Sequence, residues 1–301
     1  MLACAQFSRY ADPRLAGHGA LPQDGQPWLP LSELLQTMLE SGRLQLPWLE
    51  PTGFSDLRFA APLPLPEAVT RECRITARSQ SWLLQDGVMT RMCHVRLQSR
   101  DLAPNLRRIN HFSPLARGMV FLAAAAGSLP PLWDGEMTVT GPDLPLEDFY
   151  AGCGMAEGWR LLEELAPAGD DLWQGRFDGM AQGIAPAGKS GYCSLLSAVD
   201  AILQAACRIM EETVPGAELA GGRLLWPQGW RLSGIGFIRF ADAGLLSGAR
   251  MPWRIQLRRG WDDERLQRYD AQVVDADGRV LLTLHQMEFE KDIRPQEGAG
   301  A

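Results

Sequence analysis

Between Ser194 and Met210 the chain is apolar around most of a helical wheel: Leu195, Leu196, Val199, Ile202, Leu203, Ala206, Ile209 and Met210 leave little room for solvent. Such a segment, read here as a helix over 194–213, belongs in an interior. An earlier stretch carries Leu31, Leu34, Leu35, Met38 and Leu39 at the spacing of a one-faced helix over 31–40, with Gly42 placed to close it as a C-cap. Elsewhere the pattern shortens to alternation, which predicts strands over 54–59, 73–78 and 88–97 in the first half and over 235–240, 253–257, 268–274 and 280–289 in the second. Asp86-Gly87 and Asp277-Gly278 are tight-hairpin signals. Each half therefore predicts one long helix followed by several antiparallel strands. A curved sheet wrapping the helix would cover its apolar face, an α+β arrangement, and the repeated order suggests two copies of one unit. Proline and glycine between Gly127 and Gly135, and again in Gly141-Pro-Asp-Leu-Pro145, separate the copies. The organisation read from this is an N-terminal unit over 1–126, a linker over 127–146, a C-terminal unit over 147–292 and a disordered tail over 293–301.

Asp200 interrupts the second helix. A lone carboxylate there costs several kcal/mol unless it is paired, hydrogen-bonded or protonated. Gln204, four residues on, shares its face and can hydrogen-bond it. Burial also raises a carboxyl pKa towards the range where it acts as an acid near neutrality. The competing reading is a structural Asp that caps a neighbouring backbone.

Composition narrows the classes. The chain has 301 residues, 46% of them hydrophobic, enough for one large core or two smaller ones. No apolar run reaches membrane-spanning length, and the first residues are too short and uncharged for a secretion signal. Six scattered cysteines without a Cys-x-x-Cys pair point to reduced thiols and the cytoplasm rather than to disulfides or zinc. A net charge of −7 without a basic run argues against nucleic acid. Local pairs such as Arg107-Arg108 and Arg258-Arg259 are solvated surface or a landing place for an acidic partner.

Several segments in order resemble one family. Asp12-Pro-Arg-Leu-Ala-Gly-His18 is similar to the His-Pro-x-Leu-x-Asp-His opening of polyketide synthase dehydratase domains. Gly25-x4-Pro30 before the first helix, the Asp200-x3-Gln204 helix and the closing hairpin at Asp275-Ala-Asp-Gly-Arg-Val280 follow that family's sequence of landmarks, and Phe149-Tyr150 through Trp159-Arg160 falls where its second half opens. The resemblance extends from about Asp12 to Phe289 and also takes in the dehydratase domains of polyunsaturated fatty acid synthases. It implies a double hotdog, two helices each wrapped by a sheet. It implies a catalytic His18 and Asp200, with Gln204 supporting the Asp, and a substrate tunnel lined by Gly25, Pro30 and Trp159. The implied activity is loss of water from a β-hydroxyacyl thioester in polyketide or fatty acid biosynthesis. The substrate would ride on the phosphopantetheine of an acyl carrier protein, with no further cofactor and no metal. Other synthase domains and a second copy of the chain, as a homodimer, are the implied partners. Histidine, with a pKa of about 6.5, suits removal of the α-proton, and a buried neutral carboxyl suits protonation of the departing hydroxyl.

The chain departs from the family at named places. Pro22 occupies the position of the family's glycine, so either a short insertion follows His18 or a strict alignment puts Leu21 at the catalytic position. Leu31 follows Pro30 where the family has glycine, the tunnel motif reads Gly154-Met-Ala-Glu-Gly-Trp159, and Leu195-Leu196 replaces a His-Pro pair. Two alternatives to dehydration follow: an inactive double hotdog for carrier-protein binding or dimerisation, and an enoyl-thioester double-bond isomerase. Among the other histidines, His94 reads as a half-buried strand residue, His111 as structural before a strand, and His285 as solvent-facing or cross-strand paired. His18, flanked by Gly17 and Gly19, has no packing reason to sit in a loop. Trp28, Trp226 and Trp230 read as core or tunnel wall.

Overall fold

The computed structural model describes residues 2–9, 12, 15, 18, 28–60, 64–85, 87–133, 137–177, 192–213, 230–242, 245–246 and 248–291. Leu21, Pro22, Gly25, Asp86, Trp226, the glycines beside His18 and the tail over 293–301 lie outside them.

The first half contains strand β1 (Leu2–Phe7), helix α1 (Leu31–Arg43) and strands β2 (Glu50–Phe59), β3 (Thr70–Gln85), β4 (Val88–Leu102) and β5 (Ser113–Ala123). The second contains helix α2 (Leu146–Cys153), a 3-10 turn at Glu157–Trp159, strands β6 (Leu162–Gly169) and β7 (Leu172–Phe177), helix α3 (Tyr192–Thr213), and strands β8 (Trp230–Phe240), β9 (Trp253–Asp262), β10 (Leu266–Val274) and β11 (Val280–Lys291).

The eleven strands among the described residues form one sheet in the order β1-β3-β4-β5-β2-β8-β11-β10-β9-β7-β6, with every neighbour antiparallel. The order repeats: β1-β3-β4-β5-β2 in the first half is matched by β7-β9-β10-β11-β8 in the second. One correction follows. Each helix is preceded by a strand, β1 before α1 and β7 before α3, so the unit does not begin with its helix.

The halves join where β2 pairs with β8, from Gly53 opposite Arg239 to Arg58 opposite Gly234. Gly53 has φ +151°, and a Cβ there would overlap the Ile238 carbonyl. Only glycine lets the two backbones close at this point.

Helix α1 buries Leu31, Leu34, Leu35, Met38 and Leu39 against β2–β5 and turns Glu40 outward. Gly42 does not cap it. The helix runs on to Arg43, Leu44 closes it, and Gly42 lies inside, where a Cβ would stand 3.1 Å from Val120 Cγ1. The missing side chain thus permits close helix–sheet approach. On α3, Leu195, Leu196, Val199, Ile202, Leu203, Ala206, Ile209 and Met210 are all buried, against α1, β6, β7, β9 and β10. Each such large apolar side chain contributes roughly 1.5–3 kcal/mol. The two helices pack on each other inside the double wrap. The stretch between β5 and α2 runs along the second half: Leu132 N–H donates to Gln272 Oε1 (2.8 Å), and Leu144 N–H to the Leu165 carbonyl (2.7 Å).

Candidate active site

Asp200 faces across the helix–helix contact and meets the start of α1. The Leu31 N–H donates to its Oδ1 (3.0 Å), the Ser32 N–H to its Oδ2 (3.2 Å), and the Ser32 hydroxyl also donates to Oδ2. Pro30, which has no N–H and sits at φ −54° and ψ 144°, turns the chain into the helix and leaves those amides free. No side chain of α1 itself caps its first turn. A carboxylate from the other half does so instead.

Burial pushes the Asp200 carboxyl up to about 7, against the pull of the Ser32 and Leu31 hydrogen bonds. The positive end of the α1 dipole adds to that downward pull. Two of the three donors fill Oδ2, while Oδ1 takes one. Oδ1 therefore keeps a lone pair free that can carry the carboxyl proton.

His18 is also interior, 1% exposed. Its Nδ1 lies 3.2 Å from the Trp28 carbonyl. A carbonyl only accepts, so Nδ1 carries the hydrogen and Nε2 is the basic nitrogen. The ring packs on Trp28 at 4.9 Å and edge-on against Trp159 at 4.6 Å between centroids. Burial lowers its pKa to about 3, the Trp28 hydrogen bond opposing. The imidazole is thus neutral at physiological pH.

Gln204 does not hold Asp200, contrary to the expectation from spacing. Its Nε2 donates to the Trp159 carbonyl (2.9 Å), and its Oε1 accepts from the Tyr150 hydroxyl (3.0 Å) and the Leu161 N–H (3.2 Å). One turn along α3 carries the amide away from the α1 terminus to the strip 159–161. Gln204 therefore fixes Trp159, and through that ring it bears on His18.

The sequence-read residues come together as follows. His18 hangs on the Trp28 carbonyl and Asp200 on the Leu31 and Ser32 amides, so both are tied to one five-residue segment. Trp159 touches the His18 ring and is held by Gln204, one turn beyond Asp200. Pro30 is buried as the N-cap residue of α1, and Gly25 is outside the described residues. Ser32 and Tyr150 are the participants that the sequence reading gave no role. A serine in the first turn of the predicted helix, two residues after Pro30, is the available signal for the first.

The remaining histidines lie elsewhere. His94 is half-buried on β4, and His111 is exposed ahead of β5. His285 Nδ1 stands 4.0 Å from Asp270 Oδ1 on the neighbouring strand. Among the described residues no cluster of His, Cys, Asp and Glu could hold a metal ion, and no helix is long and apolar enough to cross a membrane.

No family model matches the sequence, and no curated protein matches it. Solved structures do match. An isomerase-inactive variant of GphF DH1 is 17% identical, with 98% of this chain and 93% of that one covered at a TM-score of 0.64. The dehydratase domain of RzxB from Pseudomonas fluorescens is 14% identical over 95% and 94% of the two chains, TM-score 0.64. The dehydratase domain from the CurJ module of curacin polyketide synthase is 14% identical over 96% and 91%, TM-score 0.64. The fold class is therefore a double hotdog. Within that class, the chain has the fold of polyketide synthase dehydratase domains over nearly its full length.

Proposed function

We propose that this protein removes water from a β-hydroxyacyl thioester presented on an acyl carrier protein. The observation that carries the reading is a neutral buried imidazole and a buried carboxyl with a pKa near 7, anchored to opposite ends of the Trp28–Ser32 segment. His18 Nε2 takes the α-proton. The bond from the β-carbon to its hydroxyl breaks as the Oδ1 proton of Asp200 passes to that oxygen. The electron pair of the α-carbon forms the double bond, and water leaves. An imidazolium in an apolar pocket is costly alone, but here a carboxylate is formed in the same step and the two attract. The Leu31 and Ser32 amides and the Ser32 hydroxyl already point at the carboxylate oxygens, so its negative charge meets fixed donors. Return of the proton from His18 to Asp200 completes the cycle without net proton exchange.

The α1 terminus is committed to Asp200, so it serves the acid rather than the thioester carbonyl. The carbon–oxygen bond breaks with two proton transfers, which these two side chains supply. The reading fits a carrier protein and neighbouring synthase domains as partners, with pairing into a homodimer as in the resemblance.

The test is incubation with a 3-hydroxyacyl pantetheine thioester and mass analysis for loss of 18 Da, a chemical constant of water. Asp200→Asn and His18→Ala should each lower turnover by roughly two to four orders of magnitude, the usual contribution of a positioned acid or base. Undiminished turnover in both variants would overturn the assignment. A β,γ-enoyl product from an α,β-enoyl thioester, with no hydration or dehydration, would assign the same pair to double-bond migration.

A further inference from the structure

The outer face of the first half carries a second set of chemistry, unconnected with His18 and Asp200. Strand register sets Thr76 opposite Arg96, Arg96 opposite Arg117, and Arg117 opposite Arg58, a lane across β3, β4, β5 and β2. Beside it Arg78 stands opposite His94. Their strand neighbours Ala77, Val95, Leu97 and Leu57 are buried, so alternation turns this set away from α1.

Guanidinium groups directly opposite one another repel. At the β2 end of the lane and further along β3 and β4 the sheet relieves such charge with carboxylates. Arg58 reaches over Gly234 to Glu288 (2.5 Å), which Arg268 also grips (2.9 Å). Further along β3 and β4, Arg71 pairs with Asp101 and Arg100 with Glu72. Arg78, Arg96 and Arg117 have no acidic partner among the described residues. They border a cleft of about 590 Å³ whose described lining contains no carboxylate. The sheet is irregular on both sides of it, with register shifts at Ser55/Arg58 and Leu97/Gln98. Such bulges bend strands and re-aim side chains, and the cleft lies between the two.

The volume is that of a small-molecule site. Guanidinium forks match phosphate oxygens two at a time, and His94 and Thr76 add donors between them. An acidic protein would cover about 800 Å² per partner, a far wider area than this half-open cleft. We propose that this cleft binds a small phosphate-bearing anion with two or more negative charges.

The groups facing His94 are Arg78 on β3, Arg96 on its own strand and Arg117 on β5. Burial first, then these three cations, hold the imidazole below its usual pKa. A bound anion reverses the electrostatic part. Binding therefore raises the affinity of His94 for a proton, and by linkage protonation tightens binding.

The experiment follows the C2–H resonances of the four histidines in the full chain against pH, with and without inorganic pyrophosphate at fixed ionic strength and with chloride as control. His94→Gln assigns the resonance. The expected result is a saturable rise of the His94 midpoint by about one pH unit, equivalent to about tenfold tighter binding by the protonated form. The R96Q/R117Q double variant should bind at least tenfold more weakly and melt no lower than the parent, because its cross-strand repulsion is gone. Three outcomes overturn the proposal: no saturable response to pyrophosphate, an undiminished response in the double variant, or a response to poly-glutamate or phosphatidylglycerol vesicles without one to pyrophosphate.

Discussion

Replacing Asp200 with Asn is predicted to change the slope of stability against pH in a direction opposite to the effect of replacing His18. The carboxyl has a pKa of about 7 in the folded protein against the usual 3.8. The folded state holds its proton more tightly, so its contribution is fully present below pH 3.8 and is lost as pH rises through 7. The imidazole has a pKa of about 3 against the usual 6.5. Here the folded state rejects the proton, so the contribution is fully present above pH 6.5 and is lost as pH falls through 3. Each gap is about three pH units, and at about 1.36 kcal/mol per unit each group shifts stability by about 4 kcal/mol across its window. Between pH 4.5 and 6.5 the two slopes oppose and nearly cancel.

In Asp200→Asn only the His18 slope survives. Relative to the parent, the variant should gain about 2.5 kcal/mol of stability between pH 4.5 and 6.5, two units at about 1.36 kcal/mol each with the ends rounded. His18→Gln, whose amide can still donate to the Trp28 carbonyl, should lose a similar amount over the same interval. An Asn carboxamide satisfies the α1 amides less well, so the absolute stability of the first variant is lower throughout; the slope is the readout. Urea midpoints followed by fluorescence of the ten tryptophans measure it, and every other carboxylate drops out of the difference from the parent. Differences independent of pH in both variants would refute the claim that these groups are buried in perturbed states.

Three more outcomes follow from single contacts. Ser32→Ala removes a donor from Asp200 Oδ2, and since a hydrogen bond to a charged group is worth about 1.5–3 kcal/mol, the basic limb of kcat/KM against pH should move up by about one unit or more while Ser32→Thr leaves it in place; an unmoved limb in Ser32→Ala would show that the hydroxyl does not tune the acid. Gln204→Leu removes one hydrogen bond each from the Trp159 carbonyl, the Leu161 N–H and the Tyr150 hydroxyl, for a loss of about 2–4 kcal/mol by denaturant titration. Gly53→Ala forces a Cβ into the Ile238 carbonyl at the β2–β8 joint and should cost about 3 kcal/mol or more; an unchanged melting temperature would contradict the close approach of the two halves.

The two long helices, β2, β3 and β4 in the first half and β8 to β11 in the second are legible because their patterns are local. The 194–210 stretch is apolar all round, α1 has one stripe, and Gly278, at φ +81°, turns the chain into β11 as Asp277-Gly278 predicts. Strand β5 was missed for a physical reason: Gly118-Met-Val-Phe-Leu-Ala-Ala is a continuous apolar run without alternation, the signature of a strand in the middle of a sheet and also of a buried helix. Strand β6 contains Pro167 and Gly169, which read as punctuation, and the edge strand β1 alternates only weakly. The site was legible as a set of residues and not as a set of contacts. Asp200 and Leu31 are 169 positions apart, and nothing local in either segment names the other. Gln204 shows the same limit. The spacing correctly puts it on the Asp200 face, yet on a buried helix one turn is enough to face a different segment of backbone.

The two readings of Asp200, structural cap and catalytic acid, describe one arrangement. An aspartate capping an exposed helix is held low by amides and dipole, and it is ionised at any physiological pH. Asp275 shows how strongly partners can win even inside this protein: burial pushes its carboxyl up, but the Arg279 guanidinium and the backbone amides of its turn outweigh that and hold it below the usual range. Asp200 has the amides but no cationic partner among the described residues. Its capping duty therefore lowers a pKa that full burial has already raised, and the balance falls at about 7. Had Ser32 been an arginine, the same carboxyl would be a permanent anion; had α1 begun elsewhere, it would be a neutral acid too weak to give up its proton. Placing the start of the first helix against the middle of the second is what sets the group between those limits.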